Sequence, residues 1–293
     1  MKIYGHCRFS YFGQSDTGRE VLTLEDAQAK LWNAQRMAVR FHLFERITLP
    51  SIRHQTDPDF TFVVTTSNEM PDAYQARLDA LVADLPQVRV LRTSERRIRR
   101  ALLPVMREAS DDHSVPACHF RLDDDDAVSG DYVARLRAVA PHLPMDSAVS
   151  FGRGVMGYTD EGTARHVPFQ KNGIAIGFAL VKAPGGDRSP FAVQHIRYIA
   201  ENPVFLDPTF PAYHYTRHST NNTNGYDRAI HREGGVVEVI ARNARKGRPE
   251  SAEGAVTTEA AEDAIAQAFP WTDGPRLRAA IAATLTPEAL PPH

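Results

Sequence analysis

Hydrophobic and polar positions repeat with two different periods along the first half of the chain. Short runs rich in β-branched and aromatic residues predict strands, and the stretches between them, with apolar residues every three or four positions, predict helices. The predicted strands cover residues 2–7, 60–66, 88–92 and 117–122. Strands separated by helices of this length are typical of right-handed crossovers and of a mainly parallel sheet covered on both faces.

Helix boundaries are indicated by capping and breaking residues. Thr23 and, three residues later, Asp26 resemble a capping box and predict a helix start. Apolar residues at helical spacing continue this helix to the breaker Pro50. Pro71 predicts the start of a second helix, and Pro104 should kink the third helix or end it early.

The pattern changes after residue 145. Strands are predicted over residues 148–158 and 163–169, which form a hairpin, and over 174–182, with a helix over 189–201. Residues 241–255 have no apolar period and predict a linker, and two alanine-rich helices over 259–268 and 275–285 close the chain. We expect this tail to dock weakly or to be separable by proteolysis, with dimerisation or peripheral membrane contact as alternative roles.

Composition and charge exclude some classes of protein but do not point to a function. The 293 residues are 42% apolar and 24% charged, which is typical of a globular protein with a sizeable core. The formal net charge of -2 gives no overall attraction to nucleic acid or to an anionic membrane. Cys7 and Cys118 lie in apolar segments, which predicts reduced core thiols. No apolar stretch is long enough to span a membrane, so we expect a soluble, cytoplasmic protein.

Four consecutive aspartates, residues 123–126, follow the fourth predicted strand. Carboxylates this close repel each other unless a cation or several amide donors compensate. Strand side chains alternate, so Asp123 and Asp125 should point the same way, at the strand end where open α/β sheets bind ligands. The simpler alternative is a helix cap, but a cap needs one carboxylate. The cluster therefore favours a site for Mg²⁺ or Mn²⁺.

This cluster, with Tyr132 on the helix after it, resembles the Asp-x-Asp motif of GT-A glycosyltransferases. Together with the Arg-Phe-Ser run at residues 8–10 and with residues 48–52 and 55–60, it resembles the putative rhamnosyltransferase family over about residues 1–225. The resemblance implies an α/β, GT-A-type nucleotide-diphospho-sugar transferase fold, with a mainly parallel central sheet flanked by helices, an added antiparallel portion and a C-terminal helical tail. Its implied domain limits are 1–240 for the glycosyltransferase domain, divided into a nucleotide-binding half, 1–126, and an acceptor half, 127–240, and 241–293 for the linker and tail.

The resemblance also implies roles for single residues. Asp123 would face the ribose or the metal and Asp125 would ligate the metal, with Asp126 supporting them. Residues nominated for binding the nucleotide sugar are Arg8, Phe9, Ser10, Thr66, Ser67, Arg100, Asp123 and Arg217. Phe9 has an alternative role in the core, and Thr66 and Ser67 could simply cap a turn.

Three later residues complete the implied site. GT-A enzymes often bring a histidine to the metal and a basic group to the leaving diphosphate, and His218 and Arg217 fit by their order in the chain. His214 and His218 have the spacing of a zinc helix but lack the glutamate that the metalloprotease motif requires, so zinc is disfavoured. Asp187, before the helix over 189–201, is the candidate general base of an inverting enzyme, with a helix cap as its alternative role.

The expected function is a metal-dependent glycosyltransferase that moves a sugar, rhamnose by the resemblance, from a nucleoside diphosphate sugar to a hydroxyl acceptor in bacterial surface polysaccharide synthesis. One alternative is a sugar-phosphate nucleotidyltransferase, although residues 5–10 lack the glycine-rich loop of such enzymes. Another is a non-catalytic module that binds a metal or a glycan. Residues 152–157 match a dinucleotide-binding pattern, but no helix is predicted after them, so we discount that site.

Overall fold

The computed structural model of the protein describes residues 1–13, 23–109, 115–160, 162–218 and 258–290. Its strands are β1 Lys2–Arg8, β2 Thr61–Ser67, β3 Val88–Thr93, β4 Ala117–Arg121, β5 Ala127–Val128, β6 Ala148–Ser150, β7 Arg153–Asp160, β8 Thr163–Gln170, β9 Ala179–Lys182, β10 Val204–Leu206 and β11 Tyr213–Thr216. Its α-helices are α1 Leu24–Asp26, α2 Ala34–Leu43, α3 Leu49–Arg53, α4 Asp72–Val82, α5 Ile98–Ala101, α6 Leu103–Glu108, α7 Tyr132–Val139, α8 His195–Glu201, α9 Thr258–Ala268 and α10 Gly274–Ala282. The predicted linker, residues 241–255, lies outside the described residues.

A seven-stranded sheet with the order β10-β6-β9-β4-β1-β2-β3 forms the centre of the fold. β1 pairs in parallel with β2 and β4, and β2 pairs in parallel with β3. β9 runs antiparallel between β4 and β6. The mixed α/β fold with a mostly parallel central sheet is therefore confirmed. Its consequence for function is that the carboxyl ends of β1 and β4 lie side by side.

A second sheet has the order β5-β11-β7-β8 and contains the predicted hairpin, formed by β7 and β8. The single strand predicted over residues 148–158 is two strands, because the chain leaves the large sheet after Ser150 and enters the second sheet at Arg153. A Cβ atom on Gly154 would lie 2.4 Å from the backbone oxygen of Tyr213, so this glycine lets β11 approach β7 closely. Gly154 thus serves strand packing.

The first helices follow the predicted start but not the predicted end. Thr23 and Asp26 form the capping box, each backbone N–H donating to the other side chain at 3.0 Å. The helix is interrupted before Asn33, whose side chain caps α2. It then continues past Pro50 to Arg53 through a π-helical turn, so the prediction that Pro50 breaks it is wrong. Proline is tolerated there because it lies in the first turn of α3.

Two other predicted elements are shorter in the structure. The strand expected over residues 174–182 is reduced to β9, and Gly177 before it adopts a φ of +66°. A Cβ atom at this position would lie 2.9 Å from the ring of Tyr132, whose hydroxyl donates to the Gly177 carbonyl. The helix expected over 189–201 splits into a 3-10 turn, Pro190–Ala192, and α8. The predicted kink near Pro104 is present as the break between α5 and α6.

The tail contributes to a second hydrophobic core. α9 and α10 bury Ile265, Phe269, Leu277 and Ile281, which pack with Val155 of the second sheet and with residues from α2. The expectation of a weakly docked tail is therefore wrong. Burial of this apolar area drives the docking, which the sequence of the linker does not reveal.

Both cysteines are buried and unbridged in the main core, as predicted. No helix in the part of the chain that the structure describes is long and apolar enough to cross a membrane.

Candidate functional site

The four aspartates form a turn between β4 and β5, beside the carboxyl end of β1. The backbone N–H of Asp126 donates to the carbonyl of Asp123 at 3.3 Å, which closes the turn. The Asp123 side chain is 30% exposed, whereas Asp124 and Asp125 are buried with Asp126. Only the first carboxylate of the cluster therefore faces solvent.

Arg40 of α2 forms ion pairs with the two central aspartates. Its Nε donates to Asp124 Oδ2 at 3.1 Å and its Nη1 donates to Asp125 Oδ2 at 2.8 Å. The arginine is itself buried, so these ion pairs lie largely out of water. Sequence analysis missed Arg40. The available signal was a charged residue in the apolar stripe of a helix, between Met37 and Phe44 at helical spacing.

Two further arginines hold Asp123. Arg8 Nη2 donates to Asp123 Oδ1 at 3.1 Å, and Arg121 Nη2 donates to Oδ2 at 2.9 Å. Burial alone would raise the pKa of Asp123, but the charges of Arg121 and Arg8 outweigh it and lower that pKa. Burial lowers the pKa of Arg8 to about 10, so its guanidinium is still charged at neutral pH.

Strand β11 brings the remaining partners to the turn. His218 Nε2 donates to Asp125 Oδ2 at 2.9 Å, and the backbone N–H of Thr216 donates to Asp126 Oδ1 at 2.9 Å. Burial lowers the pKa of His218, so the imidazole is neutral near pH 7 although Asp125 opposes the shift. Burial and the neighbouring charges of Asp125 and Asp123 raise the pKa of Asp126 well above its ordinary value. The structure thus places the nominated histidine beside the nominated carboxylate.

The arrangement of these groups does not form a cation site. Asp123 is held by two guanidiniums, and Asp125 is held by Arg40 and His218. Within the described ranges, no group of three or more His, Cys, Asp or Glu side chains is placed to hold a metal ion. The positive charge that four adjacent carboxylates require comes from the protein's own arginines. We therefore derive no step through a metal.

Two of the residues nominated for the nucleotide sugar support the loop after β1. The ring of Phe9 is fully buried and packs against Phe41 and Phe44, with ring centroids 4.7 and 5.0 Å apart. Ser10 adopts a φ of +43° and its hydroxyl accepts a hydrogen bond from Arg36 at 3.0 Å. Both residues shape the chain directly after Arg8.

Two nominated residues at the carboxyl end of β2 are also buried. Ser67 Oγ accepts a hydrogen bond from the backbone N–H of Phe12 at 2.8 Å. The Thr66 hydroxyl lies 3.4 Å from the sulfur of Met70. These contacts join the loop after β1 to the loop after β2, so the direct role of both side chains is in the local structure.

The other nominated residues lie in different surroundings. Arg217 is buried and donates from Nη1 to the Tyr215 hydroxyl at 2.8 Å. The Arg100 side chain is 64% exposed on α5. The Asp187 side chain is 44% exposed and accepts a hydrogen bond from Arg99, which lowers the pKa of its carboxyl group.

A chain of polar contacts links the tail to the acidic turn. Glu262 of α9 lies 3.5 Å from His166 Nδ1, and His166 Nε2 lies 3.2 Å from His214 Nε2. His214 Nδ1 in turn contacts the hydroxyl of Thr216 at 3.1 Å, next to the backbone N–H that binds Asp126. The tail therefore packs against the residues that position β11.

Comparison with known proteins gives a family and distant structural similarities. The sequence model of a family described as putative rhamnosyl transferase matches residues 2–229. No curated protein matches the chain significantly. The chain is similar to the crystal structure of S. aureus TarS 1-349, with 10% identity and a TM-score of 0.39 over 74% of this chain and 60% of that chain. The complex of TarS 1-349 with UDP-GlcNAc matches with 10% identity and a TM-score of 0.38 over 93% of this chain and 74% of that chain.

A putative glucose-1-phosphate thymidylyltransferase from Bacillus anthracis, in complex with a sucrose, matches with 8% identity and a TM-score of 0.37 over 72% of this chain and 88% of that chain. In the first TarS comparison the chain spans about three fifths of the matched protein. Similarities this distant carry no argument about activity.

Proposed function

The chain belongs to the putative rhamnosyl transferase family, and we propose that it is a glycosyltransferase that moves a sugar from a nucleoside diphosphate sugar to a hydroxyl acceptor. The family match over residues 2–229 is the observation that carries the proposal. By the family's description the donor sugar is rhamnose. We place the reaction in the cytoplasm and in the synthesis of bacterial surface polysaccharide.

The donor is proposed to bind at the carboxyl ends of β1 and β4. Ligands of open α/β sheets bind at this edge, and here it presents Arg8, Arg121 and the partly exposed Asp123. Residues 1–126 then form the nucleotide-binding half and residues 127–240 the acceptor half. The tail packs on the second sheet, which belongs to the acceptor half.

The chemical step transfers the anomeric carbon from one oxygen to another. The bond between the anomeric carbon and the phosphate oxygen breaks with its electron pair left on the diphosphate, while the acceptor oxygen bonds to the carbon. Fixed positive groups beside the leaving oxygens stabilise the developing charge. The acceptor hydroxyl gives up its proton to a general base if the reaction inverts configuration. Asp187 is our proposal for that base.

Metal dependence is the part of the sequence-based proposal that the arrangement of residues does not support. Asp123, Asp125 and His218 supply ligand atoms of the right kind, but all three engage in ion pairs or hydrogen bonds with each other or with arginines. Activity measured with EDTA and with added Mn²⁺ tests this point directly.

A screen of nucleotide sugars tests the proposed function. Native protein is incubated with UDP-, GDP- and dTDP-sugars, including dTDP-rhamnose, with and without simple sugar acceptors, and the products are identified by mass spectrometry. We expect one donor to release a nucleoside diphosphate, slowly with water and faster with an acceptor. The alternative nucleotidyltransferase would instead join a nucleoside triphosphate and a sugar phosphate with release of pyrophosphate. Folded protein that consumes no nucleotide sugar under any condition would refute the proposal.

A further inference from the structure

Two guanidiniums converge where β1 and β4 end. In the parallel pairing of these strands His6 lies opposite Arg121, so Arg8, two residues after His6, is on the same face of the sheet. Asp123 lies in the turn just beyond the end of β4, and its carboxylate accepts hydrogen bonds from both arginines. The register places Arg8 and Arg121 on one face of the sheet, and Asp123 joins them from the turn.

An aromatic ring holds both arginines in place. The ring of Phe191, in the 3-10 turn after β9, lies 4.1 Å from the guanidinium carbon of Arg8 and 4.4 Å from that of Arg121. The two side chains are 17% and 12% exposed. Cation–π contacts with a shared ring restrict both guanidiniums before any ligand arrives. Such preorganisation reduces the entropy that binding would otherwise lose.

Arg8 and Arg121 share an acidic partner among the described residues. Asp123 supplies one carboxylate to the two guanidiniums. Arg121 Nε is buried and has no hydrogen-bond acceptor among the described residues. Arg40 is not part of this group, because it is engaged by Asp124 and Asp125.

Burial is the main cause that lowers the pKa of the nearby His195 to about 4, and the charges of Arg121 and Lys171 add to it while Asp123 opposes them. This imidazole is therefore neutral near pH 7 and adds no charge beside the two arginines.

We propose that Arg8 and Arg121 bind the diphosphate of the donor and supply the charge that a divalent cation supplies in metal-dependent transferases. The inference rests on the proposed function, since it takes the ligand to be the donor's diphosphate. Guanidinium forks match phosphate oxygens in geometry, and two of them carry the same charge as one divalent ion. In the free protein the Asp123 carboxylate occupies the proposed position of the diphosphate beside the two arginines. It therefore competes with the diphosphate for them.

Inorganic pyrophosphate is the probe for this site. Titration calorimetry in EDTA should show that the native protein binds pyrophosphate without metal, with an affinity that falls as salt is added. Arg8→Gln and Arg121→Gln should each weaken binding by about 10- to 100-fold, the value of one charged hydrogen bond. Arg121→Lys keeps the positive charge but loses the planar guanidinium. Its affinity for pyrophosphate should therefore lie between those of the native protein and Arg121→Gln. Arg197→Gln, at an exposed ion pair on α8, is the matched control and should bind as the native protein does.

The variant Asp123→Asn distinguishes a role of Asp123 as a competitor of the ligand from a role as a metal ligand. If Asp123 competes with the ligand, its neutralisation tightens pyrophosphate binding in EDTA severalfold, whereas a metal-ligand role predicts no binding in EDTA and weaker binding with Mn²⁺. Thermal melting of each variant shows whether it is folded, and Arg121→Lys replaces Arg121→Gln if the latter is not. Binding that requires Mn²⁺, or that is unchanged in both arginine variants, would overturn the inference.

The nucleotide-sugar screen distinguishes failure of the arginine site from failure of the proposed function. Turnover of a donor that EDTA abolishes supports the transferase and rejects the arginine site. Metal-free pyrophosphate binding without turnover of any donor supports the anion site and rejects the transferase.

Discussion

Replacing Arg40 with methionine should destabilise the protein strongly, because Arg40 forms ion pairs with two buried aspartates. Its guanidinium donates to Asp124 at 3.1 Å and to Asp125 at 2.8 Å, and these carboxylate side chains are only 1% and 6% exposed. Removing one partner of a buried ion pair leaves an uncompensated charge in a poorly solvated place. Methionine keeps much of the side-chain volume, so lost packing contributes less than lost charge. We expect the free energy of unfolding to fall by about 3–5 kcal/mol near neutral pH.

The pH dependence separates this electrostatic effect from a packing defect. Burial alone would raise the pKa of Asp125, but the charge of Arg40 and the hydrogen bond from His218 hold it below its ordinary value. A carboxylate with a lowered folded-state pKa stabilises the native protein above its unfolded pKa, and this contribution is lost as the pH falls through the folded pKa. Without Arg40, burial raises the folded-state pKa, and protonation then relieves the penalty. The stability difference between native and variant should therefore shrink as the pH falls toward about 4.

Urea unfolding followed by circular dichroism, at about pH 8 and about pH 5, measures this difference. Arg89→Met is the control, since Arg89 pairs with Glu108 at the surface, where both side chains are more than a third exposed. Its loss should be within about 1 kcal/mol at both pH values. Adding Asp124→Asn and Asp125→Asn to Arg40→Met should restore part of the stability. Equal losses for the two arginine variants, or a loss for Arg40→Met that is independent of pH, would refute the reasoning.

Three further changes test other parts of the structure. Phe269→Ala should lower the free energy of unfolding by about 3–5 kcal/mol, because the ring is fully buried between the tail and the second sheet; an unchanged melting temperature would show that the tail does not complete the core. Gly177→Ala should lower the free energy of unfolding more than Gly185→Ala does. Both positions have positive φ, but of these two only the Cβ at Gly177 would meet a ring, that of Tyr132 at 2.9 Å. Equal urea midpoints for the two variants would contradict this contact. If Asp187 is the base, Asp187→Asn abolishes transfer and leaves donor binding intact. Arg99→Gln should then raise the pKa of the Asp187 carboxyl group and move the acid limb of the pH–activity profile to higher pH. Undiminished transfer by Asp187→Asn would reject that role.

The alternating strands and helices could be predicted from the sequence because their patterns are local. The first four strands, the capping box at Thr23 and the β7–β8 hairpin depend on periodicity and turn residues within short windows. Pro50 was misread because its effect depends on the π-helical turn that precedes it. The division of residues 148–158 into two strands depends on which sheet each part joins, and that is a property of the whole fold.

The location of the acidic site was predicted from the sequence, but the arginines that pair with its aspartates were not. Asp125 was nominated from the aspartate cluster and the resemblance, and His218 from its order in the chain, and the structure brings them within 2.9 Å. Arg40 and Arg121 were missed, because a sequence shows that an arginine is present but not that it is buried against a carboxylate. The expectation of compensating positive charge followed from Coulomb repulsion alone, and that part of the reasoning needed no tertiary information.

The acidic turn receives its partners from segments that lie before and after it in the chain. Arg8 and Arg40 are synthesised before Asp125, whereas His218 lies 93 residues after it. At about 5–20 residues per second, His218 is added roughly 5 to 20 seconds after the turn itself. During that interval the arginines already present can balance the carboxylates on the ribosome. Loss of Arg8 or Arg40 should therefore expose the nascent chain to misfolding and proteolysis early, whereas loss of His218 affects only the last stage of assembly.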